Sequence, residues 1–138
     1  MSNTIHGRYL EAEVMGASPL KLVEMMYRAA IQSVGAARVH LRSGKILERS
    51  RGIGKARELI NELMLSLDHS AGGEISRGLA ELYAYMQTRL IEANALQTEP
   101  PLEEVEKLLT VLAEAWRSIP APEAVEPAER EPEFAAAF

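Results

Sequence analysis

Four stretches of this chain repeat apolar residues at alternating steps of three and four, and each is fenced by proline or glycine. That pattern commits a chain to packed α-helices, because a 3.6-residue period places such positions on one face. The first stretch opens at Ser18-Pro19 and carries Val23, Tyr27, Ala30, Val34, Ala37 and Leu41. Ser18 suits an N-cap, since its hydroxyl can accept from an orphan amide. Pro19 at the first helical position gives up no needed hydrogen bond. Gly44 reads as the glycine that closes the helix, which is then about 25 residues and roughly 37 Å long. The second stretch runs from about Leu47 to Leu67 with Ile53, Ala56, Ile60, Leu63 and Leu67. Gly52 and Gly54 weaken its first turns, each by about 1 kcal/mol relative to Ala. Asp68 to Gly73 reads as a connector. The third helix spans about Glu74 to Leu96, with Ile75, Leu79, Leu82, Met86, Leu90 and Ala93 inward. The fourth begins at Pro100-Pro101 and ends near Ile119, with Leu102, Val105, Leu109, Leu112, Trp116 and Ile119 as its stripe.

Strand signals are nearly absent, and aromatic residues are 5% of the chain. The spacing predicts an all-α protein, a monomeric antiparallel four-helix bundle with crossing angles near 20°. Residues 18–119 form that domain. Residues 1–17 hold a short helical pattern with Ile5, Tyr9 and Ala12, read as a capping segment that docks weakly on the bundle and acts as a displaceable lid. Pro19 disfavours helix at Ser18, which hinges this segment from the first helix. Residues 120–138 contain four prolines, six alanines and five glutamates. Such a stretch cannot bury enough apolar surface to offset its ordering entropy, so the expectation is a disordered tail. Both phenylalanines of the protein, Phe134 and Phe138, sit in it.

Charge narrows the functions. The net charge is −5, of which −4 falls from Pro120 onward, so residues 1–119 carry −1 with 14 basic and 15 acidic side chains. A near-neutral body is a poor phosphate binder, which argues against nucleic acid, and against a basic membrane-surface helix. No apolar run approaches the roughly 20 residues of a membrane span, so no membrane insertion is expected. The N-terminus lacks a signal peptide, and the expected location is the cytoplasm. With no cysteine, disulfides, thiolate metal sites and a cysteine nucleophile are excluded.

Chemistry is scarce. The histidines are His6, His40 and His69, and none has a carboxylate three residues before it. The Glu-x-x-His pattern of di-iron bundles is therefore missing, and no metal, cofactor or catalytic residue is expected. Gly52-Ile53-Gly54-Lys55 lacks the preceding strand and the spacing of a phosphate loop. His40 needs weighing. Histidine phosphotransfer domains are also four-helix bundles, with an exposed histidine, a lysine three residues later and a glycine four residues later. Gly44 fits that spacing; Arg42 supplies a base at a different offset. The plainer reading is a surface histidine in a last helical turn, where its positive form suits the helix dipole.

What remains is an apolar surplus beyond the stripes: Met25, Met26, Leu59, Met64, Leu65, Tyr85, Ile91, Leu108 and Val111. A face wider than a bundle needs is either flanking core or a groove for a partner, and methionine suits such a groove because it repacks easily.

Three blocks of residues then resemble a known family. Ala17-Ser18-Pro19 with Lys21-Leu22, Met26-Tyr27 and Ala30-Ile31 is similar to its Ala-Ser-Pro-x-Lys-Leu … Leu-Tyr-Asp-Gly-Ala-Ile stretch. Ile60-Asn61-Glu62-Leu63 running into Ser66-Leu67-Asp68 forms the second block. Gly72-Gly73-Glu74-Ile75, followed by Leu79, Leu82-Tyr83, Tyr85, Arg89-Leu90 and Ala93-Asn94, forms the third. Val105, Leu112 and Trp116 match its last helix. In this order and spacing the chain resembles the flagellar export chaperones of the FliS family from Tyr9 to Ile119. Arg28 and Ala29 stand where the family usually has Asp-Gly, and Gly78 where a polar residue is common.

The resemblance implies a cytoplasmic, non-enzymatic bundle that binds the disordered C-terminal segment of flagellin one to one. It implies that the chaperone blocks premature polymerisation and presents the cargo to the flagellar type III export gate, with a co-chaperone as a further partner. It also suggests partner-binding residues: Tyr9, Tyr27, Asn61, Leu65, Tyr83 and Asn94. A tyrosine offers an apolar body with a polar tip, and an asparagine can satisfy the backbone of an extended ligand. For Tyr27 and Tyr83 a structural place in the bundle is the competing reading.

Overall fold

The computed structural model describes residue 16 and residues 18–118. The expected capping segment and tail therefore lie outside the described residues, except for residue 16. The described chain forms four helices, α1 Pro19–Arg42, α2 Ile46–Leu65, α3 His69–Leu96 and α4 Pro100–Arg117. Among the described residues there is no strand, and the all-α four-helix class expected from the stripes is the one observed. Three-residue links join the helices, and links so short force each helix back along its predecessor. Each helix packs on the next, and α4 returns to α1. Side chains fix the antiparallel register: Arg42 meets Glu99, Arg57 meets Gln87, and Arg89 meets Glu104.

Helix ends follow local chemistry. The Ser18 hydroxyl accepts from the Lys21 amide at 3.1 Å, which caps α1. At the other end Gly44 takes φ +72°, a left-handed conformation that glycine adopts without a Cβ penalty. The Lys45 amide then reaches the His40 carbonyl at 2.9 Å and the Gly44 amide reaches Leu41. That pair of bonds is a Schellman stop.

The start of α3 differs from expectation. Asp68 to Gly73 is not a free connector, because the Asp68 carboxylate accepts from the Ser70 and Ala71 amides and caps a first helical turn. Gly73 then breaks that turn with φ 56° and ψ −125°. Ser76, Tyr83, Met86, Leu90 and Ala93 face inward, while Ile75, expected in the core, is 50% exposed. Buried Ser76 is satisfied by a 2.7 Å hydrogen bond to His69 Nδ1 across the break.

Elsewhere the stripes pack as spaced. Tyr27, Val34, Ile60, Leu63, Leu102, Val105 and Leu109 are fully enclosed. Met26 and Leu59, counted as surplus, belong to the core. Gly52 is more than a weak helix start. A Cβ there would stand 3.1 Å from the Ser33 carbonyl oxygen and 3.3 Å from the Ala37 Cβ, so glycine lets α2 lie close on α1. Gly54 faces open space.

Two consequences can be measured. Leu109→Asp places an unpaired charge in the core and should cost roughly 3–5 kcal/mol; an unchanged urea midpoint would refute the register of α4. Gly54→Ala should raise the stability by up to about 1 kcal/mol through helix propensity alone, and the urea midpoint with it. Gly52→Ala should lower it, because rigid backbone blocks the new methyl, and equal gains from both substitutions would remove the close-approach argument.

Candidate partner-binding surface

The sequence-derived candidates fall into three groups. Tyr27 and Tyr83 have no exposed surface, and their hydroxyls hydrogen-bond to each other at 2.5 Å in the centre of the bundle. The Trp116 side chain also hydrogen-bonds to Tyr27. The expected polar tips are thus spent inside the fold, because both tyrosines lie on the core stripes of α1 and α3. Burial pushes the Tyr27 phenol up to about 12 and raises Tyr83 further.

Asn94 is half-buried and works as a brace. Its side-chain carbonyl accepts from Arg49 Nε at 3.0 Å and from the Ser50 hydroxyl at 3.2 Å, joining α3 to the start of α2. Buried Arg49 is a residue that the apolar stripes could not reveal, since a charge inside is legible only with its partner beside it.

Asn61 and Leu65 do face solvent, one turn apart on α2. Leu65, at 71%, is the most exposed large apolar residue among those described. Leu47 and Gly54, at steps of seven before Asn61, extend the same exposed face. Tyr9 lies outside the described residues.

A second apolar surface runs along the seam of α3 and α4. Tyr85, Val111 and Ile75 are exposed there, and Leu82, Leu108 and Leu112 are half-buried against the core. The sequence marks Tyr85, Leu108 and Val111 as surplus and places Ile75 in the core stripe, but the end of α3 leaves Ile75 50% exposed. One end of this seam is polar. The Tyr85 hydroxyl donates to Glu104 at 2.8 Å, and Arg89 Nε donates to the same carboxylate at 2.6 Å. These two donors lower the Glu104 pKa.

The seam of α1 and α4 is different in character. Arg38 bridges Glu99 at 2.8 Å and Glu106 at 2.6 Å, and Arg42 joins Glu99. Arg42 and Arg38 together hold the Glu99 carboxyl at about 2. A shallow cavity of about 320 Å³ lies beside this network, lined by Arg38, Glu103, Glu106, Lys107, Thr110 and Val111. His40 stands half-buried in the last turn of α1, where its carbonyl serves the helix stop and its basic neighbour Arg42 is engaged with Glu99.

Among the described residues no group of three or more histidines and carboxylates is placed to hold a metal ion. No described helix is long and apolar enough to cross a membrane.

Comparison with known proteins agrees. The family model described as flagellar protein FliS matches residues 1–123. The chain belongs to the FliS family. It is 41% identical over 111 residues to the flagellar secretion chaperone FliS of Salmonella typhimurium, covering 80% of this chain and 82% of that one. It is 34% identical over 110 residues to the flagellar secretion chaperone FliSB of Pseudomonas aeruginosa, covering 80% and 87%. The Bacillus subtilis FliS is 28% identical over 109 residues, covering 79% and 80%. These relatives are all named as flagellar secretion chaperones.

The tyrosine pair makes the bundle alkali-sensitive. The folded state favours the neutral phenols, so their contribution is complete below the unfolded pKa near 10 and falls as pH rises toward 12. The expected slope is about 1.4 kcal/mol per pH unit for each phenol. Tyr27→Phe strands the Tyr83 hydroxyl and should cost roughly 1–3 kcal/mol, while the double phenylalanine variant should recover part of that loss. Urea midpoints across pH 9–12 check both, and identical alkaline limbs in wild type and double variant would reject the account.

Proposed function

We propose that this chain is a cytoplasmic flagellar secretion chaperone. It binds the disordered C-terminal segment of flagellin at one to one, keeps it from polymerising, and supports its delivery to the type III export apparatus. The carrying observation is membership of the FliS family, with a relative named flagellar secretion chaperone at 41% identity across most of both chains. The physics supports the same reading. A disordered amphipathic ligand loses chain entropy on binding and needs a long apolar track. The exposed face of α2 around Asn61 and Leu65, and the seam of α3 and α4, supply such area. Of the six candidates, Asn61 and Leu65 serve cargo contact directly. Tyr27, Tyr83 and Asn94 serve it by holding the helices that carry the surface. Residues 1–17, with Tyr9, act as the capping segment that cargo displaces. The export gate and a co-chaperone remain the further partners in this reading.

Calorimetric titration with a peptide of flagellin's C-terminal segment tests it. The expected result is a single one-to-one isotherm with a negative heat-capacity change, weakened severalfold by Leu65→Glu. Incubation with a phosphodonor kinase should leave His40 unlabelled. Labelled His40 together with no peptide binding would replace the chaperone reading by phosphotransfer.

A further inference from the structure

The seam of α3 and α4 is tied at one end and open toward the other. The tie is Glu104, held by Arg89 at 2.6 Å and by Tyr85. From there the antiparallel register carries Leu82 level with Val111, and Gly78 level with Ala115. Val111 is 62% exposed, Gly78 and Ala115 are exposed, and Leu82 rests on the core. A Cβ built at Gly78 would meet nothing within 4 Å, so no side chain stands over this part of the seam. Ile75 stands at the mouth. From Ile75 to Tyr85 the groove follows ten helical steps, roughly 15 Å.

The chain leaves the bundle at this same mouth, because α4 ends at Arg117, two residues past Ala115. Beyond Ser118 come residues 119–138, which contain Phe134 and Phe138, the only two phenylalanines of the protein. The family match stops at residue 123. The phenylalanine pair is therefore an addition of this chain to the part it shares with the family model.

We propose that Phe134 and Phe138 fold back into the groove between α3 and α4 and cover it while no partner is bound. Reach permits this. Phe134 lies 16 residues past Ser118, and an extended chain covers up to about 3.3 Å per residue, roughly 50 Å in all. Spacing favours it. The two rings are separated by three alanines, so one helical turn puts both on one face, and alanine is the best helix former. Composition favours it as well. The proline- and glutamate-rich residues 120–133 stay solvated as a tether, while two large aromatics in an otherwise polar tail gain by leaving water. A tether of this length holds the pair at a local concentration on the order of millimolar. A partner that uses the same groove must displace it, and its apparent affinity falls by the fraction of covered molecules.

The chain has no cysteine, so one introduced thiol carries a single label. A spin label on Ala136→Cys, on the side away from both rings, should broaden the amide signals of Gly78, Leu82, Val111 and Ala115 severalfold in the full chain. The broadening should vanish in the Phe134→Ala/Phe138→Ala variant and in Gly78→Arg, an exposed helical position where the bundle still folds. Removing residues 120–138 should raise binding of a hydrophobic dye severalfold. Broadening centred elsewhere, or none at all, overturns the proposal. So does broadening of an unlabelled isotopic chain mixed with a labelled one, which would mean the tail of a second copy. So does dye binding that rises on removal of residues 1–15 and not of 120–138, which would make the N-terminal segment the occupant. These readouts need no flagellin and stand or fall apart from the cargo reading.

Discussion

One hydrogen bond sits where the bundle has least tolerance. Tyr27 and Tyr83 come from α1 and α3, which lie diagonally across the core, and their hydroxyls meet at 2.5 Å with no exposed surface. A buried hydroxyl without a partner costs several times what a made bond returns, so each tyrosine demands the other. That demand sets the rotation and height of α1 relative to α3. Helices α2 and α4 then close the two sides, with Ile60 and Leu63 from one and Leu109 and Trp116 from the other in the same core. The apolar stripes would allow a bundle to slide by a turn at modest cost. The hydroxyl pair removes that freedom, and the outer ties at Arg38–Glu106 and Arg57–Gln87 fall into register around it.

Most of this architecture is legible in the sequence, for local reasons. Ser18, Pro19 and Gly44 act within a few residues of themselves, so the ends of α1 follow from chemistry that a sequence carries in full. The stripes of α2 and α4 point inward because nothing interrupts their period. The third helix shows where that logic fails. Ile75 lies in the turn just past the Gly73 break, and it is 50% exposed although it shares the azimuth of buried Ala93, while Ser76 beside it is buried. A stripe gives the azimuth of a residue; it does not say whether anything covers that azimuth at the end of a helix. Gly52 fails for a related reason, since its value depends on Ser33 and Ala37 of another helix. The candidate site was harder still. Tyrosine and asparagine serve a wet interface and a satisfied interior equally well, and only the partner atom separates them. Leu65 at the surface and Tyr83 in the core look alike in spacing; the structure distinguishes them through what stands opposite.

Carrying exposed apolar area without self-association requires that the area be broken up. Large contiguous apolar patches mark interaction sites and also aggregation sites. Here Tyr85 is bound to Glu104, and Val111 borders a cavity rimmed by Arg38, Glu103, Glu106 and Lys107. Leu65 shares its face with Asn61. Polar or charged groups thus interrupt each of these apolar strips. A ligand long enough to cross several strips gains from all of them, whereas a rigid neighbour touching one gains little.

The polar ties between helices also have a direction. Arg38, Arg42 and Glu99 join α1 to α4, Arg49 and Asn94 join α2 to α3, and Arg89 and Glu104 join α3 to α4. All of these stand toward the end that holds the links 43–45 and 97–99. Toward the opposite end lie the start of α1, the broken first turn of α3 and the end of α4. Residues 1–15 and 119–138 both join the bundle there. Ionic and amide bonds lose most of their value when bent, so the tied end resists change in shape. The other end carries its own polar contacts, His69 to Ser76 across the break of α3 and Trp116 to Tyr27, set among apolar side chains. The braced end, where most of these ties stand, is thus the one that keeps the register of the four helices.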